Sequence, residues 1–555
     1  MQRRWKRYLA IALIAFLMFV NIPKVWGQTA TTYYVDAATG NDSNAGTSNS
    51  PWKTVQKCAE TAPSGSTCAI APGVYRETVI ARRDNVTFRG SGPDTIISGV
   101  DEIAPNAWQA GPNGTYSTTI NWSMNRRAQT EFLGNNQVFW GKQMLPEARW
   151  PNLTNIDYVT ELTDSVAIRE DNARATAATG GGHNASYSTP ALSQLTNFSG
   201  GKISYIVGYR IMAGTCDVNN KSGSTVNFTC NSDPGSGGTR NGTDVILSGG
   251  DNPGMLSPKA NNYFYLWGKK ELLDAPGEWF IDPPQNDSSS TQFTLTIMPP
   301  AGVDPRSANA PKVQVKRRIH AFDLWSRSGI RIENLAMFGA TVKFESTNNT
   351  TIDQVDWRYP HHFQEAPAYF YTGGTVAIPV KGSNNKIINS YLAYAPAAMI
   401  QLSGSNHLIE NNVIQNVGYV GVGVGIMGSA PGSKVQRNTM FNAGRYWVQM
   451  EKGVDVLYND IFQSHRRITD LGAIYGWSQE GDGAQIAYNF VHDAYGELNN
   501  PDQQYGSHGI YADDNITGFD IHHNITWNLT SPGIMLASYN PRSPDTQQYN
   551  PGKTS

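Results

Sequence analysis

Charge and cysteine are both scarce in this chain. Only 16% of its 555 residues are Asp, Glu, Lys or Arg, the formal net charge is −2, and cysteine occurs four times. A balance so close to neutrality lacks the basic stripe that nucleic acid requires, so a nucleic-acid partner is not expected. Long apolar runs are missing after residue 20; spanning a bilayer takes about 20 such residues. Good helix formers are under-represented beside 54 glycines and 11% aromatics. That mix argues against a helical bundle and against disorder, and it fits a loop-rich β protein.

The N-terminus is the exception to the charge and hydropathy pattern. Arg3, Arg4, Lys6 and Arg7 precede a thirteen-residue apolar run, Tyr8 to Val20, and small residues lead up to Gln28. Residues 1–27 therefore read as a cleaved export leader, with an uncleaved anchor as the alternative. Removing them takes five basic residues and no acid, so the formal charge falls from −2 to −7. After cleavage no membrane association is expected, and the protein is expected to be secreted as a monomer. In an oxidising compartment the close pairs Cys58/Cys68 and Cys216/Cys230 read as two disulfides; free buried thiols are the alternative. Neither pair has zinc-site spacing.

A chain this long would ordinarily divide into several globules, but repeat folds escape that rule because each repeat packs only on its neighbours. Residues 28–104 open with Thr32-Tyr-Tyr-Val-Asp36, a Gly/Asn/Asp loop, a helix expected over about Trp52 to Ala62, and Ala69-Ile-Ala-Pro-Gly-Val-Tyr75. Residues 105–320 lack repeats. They read as a β-rich insertion, a small sandwich with strands such as Lys202–Val207 and Phe293–Met298.

Residues 321–540 repeat. Ile/Val, two residues, Asn, one residue and an apolar residue recur at Ile409/Asn412/Ile414, Val435/Asn438/Met440, Val456/Asn459/Ile461 and Ile486/Asn489/Val491. Ile521/Asn524 continues the series, and Ile387 begins a variant with Ser390 in the asparagine place. The asparagine intervals are 26, 21, 30 and 35 residues. A constant core pattern at irregular spacing fits stacked coils with variable loops, with asparagines bonding amide to amide along the stack. A second strand alternates with the first: Met399–Leu402, Trp447–Met450, Ala473–Gly476, Gly509–Ala512 and Gly533–Leu536. Residues 541–555 form a Pro/Gln/Asn-rich tail, where further coils or a cap would be expected, as in a shortened chain.

Strand residues alternate between core and solvent. With Ile400, Val448, Ile474, Ile510 and Ile534 inward, the outward columns hold Gln449, Tyr475, Tyr511 and Met535, and beyond them Glu451, Trp477 and Asp513. An exposed stripe of aromatics and carboxylates suits sugar: rings stack on the apolar faces of pyranoses, and carboxyls move protons. Glycosidic hydrolysis normally takes two carboxyls. Asp470 with Asp513 is the first pair expected, and Glu451 with Asp513 the second. His508, expected to face outward, along with Arg467, Arg466 and Asp514, would contact substrate. His492-Asp493 and His522-His523 suggest metal ligands, but no matching set accompanies them, so neither metal nor cofactor is expected. Arg149 and Trp150 read as packing residues.

Several phrases resemble glycoside hydrolase family 141: Asp470-Leu-Gly-Ala-Ile-Tyr475, Ile486-Ala-Tyr-Asn-Phe-Val-His-Asp493, Gly509-Ile-Tyr-Ala-Asp-Asp514, Ile521-His-His-Asn524, Ala148-Arg-Trp-Pro-Asn152 and Leu273 to Trp279. The opening also resembles the cap and first coil of bacterial parallel β-helix proteins. The family resemblance implies an all-β, right-handed parallel β-helix with an inserted β-sandwich. It also implies hydrolysis of plant-cell-wall glycan, with α-L-fucosidase and xylanase activities both known in the family. Its catalytic aspartates would fall on Asp470 and on Asp513 rather than Asp514. A polysaccharide lyase or epimerase acting on uronate, and a glycan binder without catalysis, remain the alternatives.

Overall fold

The computed structural model describes residues 31–124, 136–160, 173–181, 184–196, 198–207, 212–229, 258–283, 291–365, 376–420, 423–468, 471–495 and 506–537. The expected leader (1–27), the tail (541–555), Asp470 and Cys230 lie outside these residues.

Asparagine organises the repeating part. In each coil a strand ends on a residue with left-handed backbone: Asn411, Arg437, Tyr458, Tyr488 and His523, at φ of 52–57°. The next residue is the repeated asparagine, whose side chain turns into the core. Asn412, Asn438, Asn459 and Asn489 are all at most 1% exposed. In each, Oδ1 accepts from the backbone N–H of the residue at the ladder position in the previous coil. Asn438 Oδ1 takes the Asn412 N–H and Nδ2 at 3.0 Å, and Asn459 Oδ1 takes those of Asn438 at 3.0 Å. Asn489 and Asn524 continue the chain of bonds at the same distance. Each Nδ2 also donates to a backbone carbonyl one coil back, as Asn459 does to Val435 at 2.9 Å. Ser390 begins the stack by accepting the Val355 N–H at 3.1 Å. Left-handed backbone at a non-glycine residue costs roughly 1–2 kcal/mol; the buried bonds that it permits offset that cost.

The strands on either side of this bend form two parallel ladders within one nineteen-stranded sheet. One runs through Lys386–Ile388, Leu408–Glu410, Ser433–Gln436, Val454–Leu457, Glu480–Ala487 and Thr517–His522. The other runs through Tyr391–Ala395, Val413–Val417, Thr439–Ala443, Asp460–Phe462, Phe490–Ala494 and Ile525–Leu529. Ile409, Val435, Val456 and Ile486 point into the core, fully buried. A separate eight-stranded sheet closes each coil: Thr347–Asn348, Val376–Ser383, Ala398–Ser405, Ile426–Met427, Val448–Gln449, Leu471–Gly476, Ser507–Ala512 and Ile534–Leu536. The second-strand series read from sequence is this sheet, but it omitted the Ile426–Met427 rung. That rung sits in Gly421-Val-Gly-Val-Gly-Ile-Met-Gly428, where glycines erase the alternation that marks a strand.

The first coils are capped by a helix, Val55–Thr61, shorter than the expected Trp52–Ala62. Thr54 caps it by accepting from the Lys57 N–H, and the Glu77 carboxylate takes the Val55 and Gln56 N–H groups at 2.9 and 2.8 Å. With its N–H groups satisfied from outside, the helix cannot extend toward Trp52. Cys58 on the helix is joined to Cys68 on the strand Thr67–Ile70, with Cα atoms 6.1 Å apart. Cys216 is also disulfide-bonded. Among the described residues no helix is long and apolar enough to cross a membrane.

The insertion is built from antiparallel sheets. Val100–Glu102, on the way out, pairs with Val313–Lys316, on the way back, so the two connections form one neck. An eight-stranded sheet carries Lys202–Val207, Met212–Ser222 and Tyr263–Trp267, and Arg149–Trp150 joins its edge. Its apolar side includes Tyr187, Tyr205, Phe228 and Phe264. A second cluster, with Trp108, Trp140, Trp279 and Leu295, packs between two four-stranded sheets.

Replacing Asn459 by Ala leaves the Asn438 N–H, and one of the two N–H bonds of its Nδ2, buried without an acceptor, while Nδ2 keeps the Ile409 carbonyl. Each such orphan costs about 1–3 kcal/mol. Urea unfolding of Asn459→Ala is expected to show a loss of at least about 2 kcal/mol, while an unchanged midpoint would deny the ladder its structural role.

Candidate active site

Register decides what the eight-stranded sheet presents. Val448, Ile474, Ile510 and Ile534 stack inward, and Gln449, Tyr475, Tyr511 and Met535 stack on the other face. Glu451 and Asp513 each follow this column by two residues, on coils separated by the Tyr475 coil. Parallel rungs lie about 4.8 Å apart, so the two backbones are about 9.6 Å apart.

The face is not the open stripe expected from sequence. Tyr475 is 8% exposed, Tyr511 6% and Glu451 7%; of these candidates only Trp477 stands out, at 49%. The cover comes from the insertion: Ile206 and Ala213 join one apolar cluster with Phe363, Tyr446, Leu471, Tyr475, Tyr511 and Met535. The stripe is thus largely covered where the insertion packs on the solenoid, while Trp477 remains exposed beside it.

Three donors converge on Asp513. The Tyr475 hydroxyl donates to Oδ2 at 2.8 Å, the Tyr511 hydroxyl to Oδ1 at 3.0 Å, and the Asp514 N–H to Oδ1 at 2.8 Å. One tyrosine comes from its own coil and one from the coil before, so stacking fixes the carboxylate. Asp514 is half-buried; burial first and then the Asp513 charge raise its carboxyl above the usual range.

Glu451 sits in a different environment. The Gly428 N–H donates to Oε1 at 3.3 Å, and burial pushes the carboxyl up to about 7. Near neutral pH it holds its proton much of the time.

His508 is not outward. It shares the parity of inward Ile510, pairs with Gly472, and is 5% exposed. A Cβ at Gly472 would lie 2.5 Å from the Tyr511 nitrogen, so glycine is needed there for the close approach. The His508 ring lies against Tyr511, centroids 4.8 Å apart. Its Nδ1 has no hydrogen-bond partner among the described residues. Burial lowers the His508 pKa, with Asp513 opposing, and holds the neighbouring His465 down to about 3, so both are neutral at pH 7.

Arg467 lines a cavity of about 60 Å³ at the seam between insertion and solenoid, together with Arg149, Tyr265, His362, Gln364 and Tyr419. Arg149 stacks its guanidinium 3.8 Å over Tyr265 and packs as expected, but it also reaches this cavity. Sequence reading missed Tyr446 and Tyr265, and it gave Gln449 a place but no role. The Tyr446 hydroxyl donates to Gln449 at 3.3 Å, and its ring packs on Tyr475. Gln449 was visible in the outward column; Tyr265, on a strand of the insertion, had no signal linking it to this face.

The histidine pairs lie elsewhere. His492 stacks between Phe462 and Trp527 on the large sheet and meets Asp460 and Asp493 at 3.0 and 2.6 Å. His522 and His523 meet through their Nδ1 atoms at 2.7 Å. Among the described residues no three His, Cys, Asp or Glu side chains gather as a metal site.

A solved structure described as a glycoside hydrolase is similar over 92% of this chain and 96% of its own, at a TM-score of 0.60 and 13% identity. The fold is a right-handed parallel β-helix. Residues 38–81, the cap, match a family model described as a protein of unknown function, DUF1565. The XylC complex with xylose is similar at a TM-score of 0.41 and 14% identity, over 92% of this chain and 63% of that one. A GH136 lacto-N-biosidase from Eubacterium ramulus gives 0.32 and 9%, over 91% and 68%. No curated protein matches the sequence.

The raised Glu451 pKa has a stability consequence. A carboxyl that titrates near 7 when folded and near 4.5 when unfolded stabilises the fold below pH 4.5. That contribution is lost as pH rises through 7. Relative to Glu451→Gln, the native protein is expected to lose up to about 3 kcal/mol between pH 4.5 and 7.5 in denaturant titrations. A constant difference across that window would contradict the burial argument.

Proposed function

We propose that this protein is a secreted carbohydrate-active enzyme that hydrolyses glycosidic bonds of a complex polysaccharide, with Glu451 as proton donor and Asp513 as the partner carboxylate. The observation that carries the proposal is the contrast between the two groups. Glu451 is desolvated and keeps its proton, whereas Asp513 accepts three hydrogen bonds; two carboxyls in opposed environments are what acid–base hydrolysis of an acetal needs. The similarity over most of the chain to a structure described as a glycoside hydrolase supports the same reading.

In this mechanism the Glu451 proton goes to the glycosidic oxygen as its bond to the anomeric carbon breaks. A water attacks that carbon from the opposite side and gives its proton to Asp513. The products are a hemiacetal and an alcohol, and the two protons balance. Inverting enzymes hold their carboxyls about 6.5–9.5 Å apart, and retaining enzymes about 5–5.5 Å apart. Coils two rungs apart favour the wider spacing, hence inversion. Trp477 offers a sugar platform, Tyr475 and Tyr511 hold Asp513 in place, and Asp514 and Arg467 orient the bound rings. Asp470, one residue before the Leu471–Gly476 strand, is the other acid to test. Plant-wall glycans carrying α-L-fucosyl or xylosyl units are the first substrates to try. No cofactor takes part in this scheme, and a single chain suffices for it.

A second reading, a lyase, draws on the neutral His508 with its unbonded Nδ1 beside Tyr511, a base suited to a sugar α-proton. Incubation with a glycan panel separates the two readings: hydrolysis yields reducing ends without absorbance from an unsaturated product. Asp513→Asn is expected to lower turnover about 10²–10⁴-fold. Glu451→Gln should abolish the fall in activity as pH rises through about 7, and NMR should show the inverted anomer first. Full turnover by Asp513→Asn, or an unsaturated product, would rule out the proposal.

A further inference from the structure

A second and larger cavity, of about 630 Å³, lies between insertion and solenoid. None of its lining residues belongs to the sheet that closes each coil and carries Tyr475 and Tyr511. Its floor is the outward face of four successive rungs of the nineteen-stranded sheet. Val74 pairs with Ile96, Ile96 with Ala336, and Ala336 with Asp356; beside them Ser98 pairs with Phe338, and Phe338 with Arg358. The residues between these columns, Tyr75, Ile97, Met337 and Trp357, are buried in the solenoid core, which fixes the direction of the lining side chains. Four rungs span about 14 Å along the solenoid axis. The facing wall comes from the neck and the insertion, with Glu102, Lys142, Gln143, Asp157 and Gln314.

Size and chemistry together define what fits. Sites for small organic ligands enclose about 300–1,000 Å³, and this cavity falls within that range. Ser98 and Ala336 are small beside Phe338 and Arg358, and they leave room on the floor. Charges of both signs line the space and meet one another. Arg76 bonds Glu102, Arg358 Nε donates to Asp356 at 2.7 Å, and Gln143 donates to Asp157. With Asp94 and Lys142, the lining holds three bases and four acids, a formal sum of −1. So small a net charge gives neither an anion nor a cation a strong field. Hydroxyl groups, which both donate and accept, match such a mixed wall.

The floor also carries aromatic surface. Tyr359 and Tyr394 stack with centroids 4.3 Å apart, and Phe338 meets Tyr359 edge-on at 5.6 Å. Rings among hydrogen-bonding groups suit a ligand with apolar C–H faces and a polar rim, which describes a pyranose.

We propose that this cavity is a second, non-catalytic saccharide site, which holds an uncharged stretch of polysaccharide along the solenoid axis. The site requires no bond cleavage, so it goes beyond the hydrolase reading. Joined to a catalytic face on the same chain, it raises the local concentration of polymer there.

Affinity electrophoresis of the full chain in gels containing xyloglucan, glucomannan or polygalacturonate reads binding without turnover. Retardation by at least one neutral polymer, stronger than by polygalacturonate, is expected. Ala336→Leu fills the floor, and Gln143→Ala removes an amide from the facing wall without touching the solenoid. Each should weaken that retardation at least about threefold in apparent affinity. Retardation equal to the native protein's in either variant, stronger retardation by polygalacturonate, or none in both neutral gels overturns the inference. Asp513-dependent cleavage of glycan alongside such a result leaves the hydrolase reading standing. Retardation that both variants weaken, with no glycan cleaved, sinks the hydrolase reading and keeps the site.

Discussion

The buried amide-to-amide bond between asparagines of successive coils is the constraint from which the rest follows. It joins Asn412 to Asn438, Asn459, Asn489 and Asn524 at a uniform 3.0 Å, although 21 to 35 residues separate the partners. Loop length can therefore vary while the bend between the two strand ladders stays in register. The bond demands left-handed backbone immediately before it, and the residues there are as different as Arg437 and Tyr488. Tyr488 and His523 stack outside the bend, so even the residue bearing the backbone cost contributes a contact.

The candidate site inherits its geometry from that register. Tyr475 and Tyr511 come from coils 36 residues apart in sequence, yet their hydroxyls reach opposite oxygens of one carboxylate because the coils are one rung apart. The surroundings then set the two carboxyls apart. Burial takes Glu451 out of water and leaves it a single weak amide donor, which pushes its carboxyl up, whereas Asp513 accepts three hydrogen bonds.

Much of this was legible in the chain because the solenoid signal is local. The Ile–x–x–Asn pattern, the alternation around Ile474 and Ile510, and the Cys58/Cys68 pair each lie within a short window. What failed to show has physical reasons. The Ile426–Met427 rung is masked by glycines that carry no alternation. The exposure of the Tyr475 face was misjudged because its cover, Ile206 and Ala213, lies more than 200 residues away and belongs to a segment without repeats. His508 was placed outward although it shares the parity of Ile510, and it lies buried, paired with Gly472. Arg149 reads as a packing residue, and it is one, but its stacking on Tyr265 also brings it to the cavity with Arg467.

The central claim is that stacking and cover together make one site in which Glu451 and Asp513 act on the same bond. A crystal structure of the protein with an oligosaccharide product bound tests it most directly. The account predicts a sugar ring on the face formed by Tyr475 and Tyr511, with its anomeric oxygen within hydrogen-bonding reach of one of the two carboxyls and its other face toward the insertion. A product seated elsewhere on the solenoid, with that face empty, would contradict it.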